Sequence, residues 1–161
     1  MRNEVVSRSR IGWKAQKLGS QFEMFLEHAC KFSRVDCVRI PDGCRKVRAG
    51  SGIRLLAVKT PFDYILAFKG RVAFLDTKSC GSDRFPYSRV EAHQLEALRK
   101  LGRHAIAGYL VYFSESKIIC FFSWSRLLDL KPRQSLGISD ADLAQGAHTV
   151  NIAELFNLSE K

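Results

Sequence analysis

The segment Thr60–Ser79, TPFDYILAFKGRVAFLDTKS, constrains the fold more than any other part of the chain. Two apolar runs, Phe62–Phe68 and Arg71–Lys78, flank the dipeptide Lys69-Gly70, the length of a two-residue hairpin turn. Phe68 opposite Arg71 sets the register, and counting back along both strands brings Asp63 opposite Asp76. A bulge at Gly70 would shift the pairing by one residue and still leave both acids near the same end.

Directly opposed side chains share a face with β-carbons about 4.5–5.5 Å apart, and like charges there repel. A hard divalent cation removes the conflict, because Mg²⁺ takes carboxylate oxygens at about 2.0–2.1 Å. Lys78, two residues beyond Asp76, points to the same face of the same strand. Two carboxylates, a cation and an ammonium group suit phosphodiester hydrolysis. The metal polarises the phosphoryl oxygen and acidifies a water, and the lysine orients that water or meets the charge of the transition state. The competing reading is an edge hairpin whose acids lie in solvent, with a salt bridge to Lys78.

With 161 residues, 46% of them hydrophobic, the chain can bury one core, so a single domain spanning 1–161 is expected. The longest apolar runs, Ala105–Phe113 and Ile118–Trp124, fall short of the roughly 20 residues of a membrane span. The start, MRNEVVSRSR, lacks an apolar core followed by a small-residue cleavage site, so a cytosolic protein without a membrane partner is expected. Five scattered cysteines suit reduced thiols rather than a disulfide framework. The spacing of His28, Cys30, Cys37 and Cys44 lacks the paired cysteines of structural zinc.

Lys plus Arg outnumber Asp plus Glu by 26 to 16, a net charge of +10 that points to a polyanion such as nucleic acid. The surplus is concentrated. Arg8, Arg10, Lys14 and Lys17 lie near the start, where residues 1–10 read as a flexible basic arm, and Arg45, Lys46 and Arg48 lie in a glycine-rich connection between two strands. These seven are the expected DNA contacts.

From Ile11 to Ser33 the residues Leu18, Phe22, Phe25, Leu26 and Ala29 recur at helical spacing, with Glu23 at the edge of the stripe and Gly19 leaving that side bare. A second helix runs from about Arg89 to Leu101, closed by Gly102, and strands follow over Ala105–Phe113 and Lys117–Trp124. Residues 126–161, with SRLLDL, SDADLAQ and NIAELFNL, read as a peripheral helical segment. The order predicts an α/β domain with a mixed central sheet flanked by helices. In the second helix Val90, Gln94, Leu98 and Leu101 form one stripe, so a buried amide at Gln94 faces either the acidic site or a backbone partner.

Phe62-Asp63 and Asp76-Thr77-Lys78, preceded by Glu23 on a helix, resemble the PD-(D/E)XK nuclease superfamily. Within it, GSQFE, TPFDYILAFKGRVAFLDTKS and FPYSRVEAHQLEALRKLG followed by GYLVYF resemble the RecU-type Holliday-junction resolvases over roughly residues 10–125. The resemblance implies a restriction-endonuclease-like fold and a homodimer that nicks paired strands of a four-way junction. It implies Mg²⁺ or Mn²⁺ held by Glu23, Asp63, Asp76 and the carbonyl of Thr77, with Lys78 catalytic and Gln94 accessory. Two departures stand out: many such enzymes carry glutamate at the place of Asp76, and the usual Pro-Asp pair is here Pro61-Phe62-Asp63. The other readings are a nuclease of duplex, flap or strand ends, and a noncatalytic DNA-binding protein.

Overall fold

A computed structural model of the chain describes residues 3–41, 43–49 and 52–158; the side chains of residues 3–16, 44–47, 49 and 52–58 lie outside that description. Helix α1 (Asn3–Phe32) leads into β1 (Asp36–Arg39), the pair β2 (Gly43–Ala49) and β3 (Gly52–Val58), and then β4 (Tyr64–Phe68) and β5 (Arg71–Cys80). Next come β6 (Arg84–Pro86), α2 (Ala92–Leu101), β7 (Ile106–Phe113), β8 (Ile118–Ser123), α3 (Trp124–Asp129), β9 (Ser135–Gly137) and β10 (Leu143–Gly146). A 3₁₀ segment, Ile152–Asn157, ends the described chain.

Lys69 and Gly70 both have positive φ, 48° and 78°, as a type I′ turn requires. Strands β4 and β5 therefore pair from Phe68↔Arg71 to Tyr64↔Leu75, the register expected from the sequence. The hairpin lies inside a six-stranded sheet of order β1-β4-β5-β7-β8-β10, in which β5 and β7 are parallel and the other neighbours antiparallel. Parallel neighbours need a long crossover, and α2 supplies it.

Alternation along the strands divides the apolar residues between two faces. Phe22, Leu26, Ala29 and Cys30 of α1 pack with Leu66, Ala73, Leu75, Leu110 and Phe121 on one face. Leu98 of α2 and Leu127 of α3 pack with Val111, Phe113, Cys120 and Phe122 on the other. A fully buried Leu or Phe contributes about 1.5–3 kcal/mol, so this two-sided burial is the main support of the sheet. Gly108 lets β7 and β8 approach: a β-carbon there would overlap the Phe122 carbonyl oxygen and the Phe121 ring. Gly102 closes α2, its N–H donating to the Leu98 carbonyl at 2.7 Å, but its φ is −68°, in the right-handed region. It is needed for space instead, since a β-carbon would overlap the Trp124 indole.

Three expectations are corrected. Residues 3–10, read as a flexible arm, belong to α1, which begins at Asn3. The basic connection is itself strand, β2, paired with β3 over its whole length in a separate two-stranded sheet. The C-terminal segment is neither peripheral nor mainly helical. Asp140 Oδ2 accepts from the Gly137 N–H at 2.7 Å, a capping box that opens a single 3₁₀ turn, Ile138–Asp140, and the helical signal of SDADLAQ goes no further. Leu143–Gly146 then adds an edge strand to β8, and Ile152, Leu155 and Phe156 are buried against the α1 face.

Candidate active site

The β4–β5 ladder stops one residue short of the expected Asp63–Asp76 pair. The Asp63 N–H donates to the Leu75 carbonyl at 2.9 Å, so β4 leaves the regular pattern there. Its carboxylate turns along β5 instead of facing Asp76. Asp63 Oδ2 accepts from the Thr77 N–H at 2.7 Å and from the Thr77 hydroxyl at 2.8 Å. The directly opposed pair is thus corrected to a capped strand end, which relieves the repulsion by charge-assisted hydrogen bonds to a carboxylate.

Asp76 is fully buried. Burial pushes its carboxyl up to about 7, the Lys78 ammonium partly offsets this, and the nearby Asp63 charge adds to it. Lys78 Nζ lies 2.8 Å from Asp76 Oδ2, an ion pair made at a fully buried carboxylate. Oδ1 accepts from the Gln94 amide. Gln94 Oε1 in turn accepts from Lys78 Nζ at 3.2 Å and from the Tyr109 hydroxyl at 3.0 Å. Two donors at Oε1 fix the amide orientation and aim its NH₂ at Asp76. Among the described residues every hydrogen-bond partner of the Gln94 side-chain amide belongs to this cluster, so the amide faces the acidic site rather than a backbone group.

Sequence reasoning missed Tyr109, Glu91 and Arg39 as parts of the site. Tyr109 is the register partner of Asp76 in the parallel β5–β7 pairing and accepts from the Glu91 N–H at 3.2 Å. Glu91, three residues before Gln94 at the head of α2, lies 3.5 Å from Lys78 Nζ and accepts from Lys59 Nζ at 2.8 Å. The Lys59 hydrogen bond is the first cause of a lowered Glu91 pKa. The i, i+3 spacing of Glu91 and Gln94 was a signal available in the sequence. Tyr109 gave none, because it sits within an apolar run.

Glu23 approaches from the α1 side of the sheet. Its carboxylate accepts from Arg39 at 2.6 Å, and burial raises its pKa, Arg39 opposing and Asp63 adding to the rise. The charge of Asp63 is felt by both Glu23 and Asp76, which makes it the link between the two faces. Gly19 leaves this side open, the nearest heavy atom to a β-carbon being Ser79 Oγ at 4.0 Å.

The carboxylates of Asp63 and Asp76 offer oxygen ligands, which suits a hard divalent cation, and Asp76 presents its carboxylate from a fully buried position. Among the described residues no three His, Cys, Asp or Glu side chains converge closely enough to hold an ion by themselves. A cation that takes two carboxylates and completes its shell with water or substrate phosphate fits, as Mg²⁺ commonly does. Of the expected DNA contacts, Lys17 and Arg48 are exposed, while the side chains of Arg8, Arg10, Lys14, Arg45 and Lys46 lie outside the described residues.

A mixed sheet with helices on both faces and its acids and lysine at one end of the central hairpin is the restriction-endonuclease-like architecture. Hjc of Archaeoglobus fulgidus, described as a Holliday junction resolvase from an archaeal hyperthermophile, shares it: TM-score 0.56 and 18% identity over 85% of this chain and 98% of that one. The chain belongs to the RecU family, whose model, "Recombination protein U", matches residues 46–156. A curated relative, the Holliday junction resolvase RecU of Mycoplasmopsis pulmonis (strain UAB CTIP), is 28% identical over 93 residues. The match takes in 58% of this chain and 59% of the relative's length.

Proposed function

We propose that the chain is a metal-dependent endonuclease that resolves four-way DNA junctions, acting as a cytoplasmic homodimer. The observation that carries this reading is the buried Asp76 held by Lys78 and Gln94 beside the capped Asp63, in a RecU-family chain. The names of its relatives support the junction as substrate.

Asp63 and Asp76 would hold a divalent cation, Mg²⁺ or in its stead Mn²⁺, with the Thr77 carbonyl and Glu23 as further oxygen donors. The ion supplies charge neutralisation at the scissile phosphate and a water of lowered pKa. Lys78, at 2.8 Å from Asp76 and 3.2 Å from Gln94, holds an ammonium where negative charge develops as water oxygen joins phosphorus and one P–O ester bond breaks. Gln94 keeps Lys78 and Asp76 aligned. Glu23, tied to Arg39, sets the charge on the α1 side. Lys17 and Arg48, with Arg8, Arg10, Lys14, Arg45 and Lys46, would neutralise phosphates of the arms.

The homodimer is supported by an uncovered apolar face. On the α2 side of β1, β4 and the start of β5, Val38 and Val72 are 56% and 37% exposed, and Ile65 and Ala67 are half-buried. Exposed valines on a sheet face suit contact with a second copy of the chain.

The test is incubation with a four-way junction and with matched linear duplex, with and without Mg²⁺, resolving all strands. Paired nicks in the junction with Mg²⁺ are expected. Equal cutting of linear duplex would point to a nuclease of other DNA, and binding without cutting would point to a noncatalytic protein.

A further inference from the structure

Strand β5 runs past Asp76 and Lys78 to Cys80 and opens onto a cavity of about 720 Å³. Its wall is formed by the loop after Cys80, the β6–β9 ribbon and the 3₁₀ turn Tyr87–Arg89. Three arginines, Arg84, Arg89 and Arg133, line it, and among the described residues no acidic one does.

The arginines differ in role. Arg89 belongs to the scaffold: its Nη1 donates to the Ser79 carbonyl at 2.6 Å and approaches Cys80 Sγ at 3.1 Å, with its guanidinium over the Phe85 ring. Arg84 and Arg133 are exposed, and among the described residues neither side chain makes an ion pair or hydrogen bond. Arg84 lies across the ribbon above Gly137, while the nearby Asp140 carboxylate is turned to the Gly137 N–H. Arg133, at φ 70°, sits in a turn closed by Gln134 N–H to the Lys131 carbonyl at 3.0 Å and by Lys131 N–H to Gln134 Oε1 at 2.9 Å. Tyr87 adds an aromatic ring that is 38% exposed.

We infer that this cavity is a second DNA-binding site, which takes the phosphodiester backbone and an unstacked base of the strand leaving the catalytic end of β5. The inference rests on the endonuclease reading and extends it to residues outside the acid–lysine cluster. Cys80 lies two residues beyond Lys78, about 7 Å along an extended strand, which puts the cavity within reach of a DNA strand that passes the ammonium. Unpaired guanidinium forks match phosphate oxygens, and an exposed ring offers a stacking surface to any base. Bases at the crossover of a branched substrate are the ones free to leave the stack.

The test compares wild type with Arg84→Ala/Arg133→Ala, Tyr87→Ala and Tyr87→Phe. A control, Lys69→Ala/Arg103→Ala, removes equal charge at the opposite end of the sheet. Binding of a fluorescent four-way junction and of a fluorescent single strand is followed by anisotropy in EDTA over a range of salt. The arginine pair is expected to weaken binding about tenfold or more and to lower the salt slope by about two, with the control slope unchanged. Tyr87→Ala is expected to weaken single-strand binding about tenfold and Tyr87→Phe to retain it. An arginine-pair variant that matches the control in affinity and slope overturns the inference. Wild type that binds both DNAs but cuts neither with Mg²⁺ removes the endonuclease reading, and the cavity then stands or falls on the slopes. Wild type that binds neither DNA overturns both.

Discussion

The Tyr109 hydroxyl donates to Gln94 Oε1 at 3.0 Å from the strand position directly beside Asp76. It therefore decides which end of the amide meets the carboxylate. Tyr109→Phe is expected to lower the single-turnover cleavage rate about tenfold, since one hydrogen bond contributes about 0.5–1.5 kcal/mol. Junction affinity in EDTA should stay at the wild-type value. An unchanged cleavage rate would show that Lys78 alone orients Gln94.

Asp63→Asn, Asp76→Asn and Lys78→Ala each remove one part of a single constellation. Each is expected to lower cleavage by about 10²–10³-fold or more while leaving junction binding intact. Rapid-quench assays at saturating enzyme, paired with binding in EDTA, separate the two effects. Full activity in the Lys78 variant would remove the role given to that ammonium.

The Asp76 carboxyl is held near 7, against an ordinary value of 3.8. The folded chain thus binds this proton more tightly than the unfolded chain. The stabilisation from this group is fully present below about 3.8 and is lost as pH rises through about 7, a change of about 4 kcal/mol at most. Melting curves in EDTA should therefore favour the lower end of this window, and Asp76→Asn should flatten the dependence. A wild-type profile parallel to that of the variant would contradict the burial argument.

A cation bound only by the native fold raises stability by mass action, by about 2.7 kcal/mol at a hundredfold excess over its dissociation constant. Mg²⁺ or Mn²⁺ is expected to raise the melting temperature of wild type and to leave Asp63→Asn and Asp76→Asn unmoved. Equal shifts in all three proteins would place the bound ion elsewhere.

Features set by local rules were legible in the residues. The two-residue turn Lys69-Gly70 set the β4–β5 register, and a period of three to four residues revealed α1, its buried stripe and the odd position of Gln94. These features depend on neighbours in the chain, so their chemistry can be read in place. The rest followed from contacts between distant elements. Whether Asp63 would meet Asp76 depended on where β4 leaves its partner, and there the Thr77 N–H and hydroxyl outcompeted a repulsive pairing. Tyr109 reached Asp76 through a parallel register that follows from how α2 packs, which strand alternation cannot specify. The segment SDADLAQ gave up its helical tendency beyond one turn because the free edge of β8 offered backbone partners to Leu143–Gly146. Local periodicity shows which face of an element is apolar; only the packing of distant elements shows what that face, and the polar groups beside it, will touch.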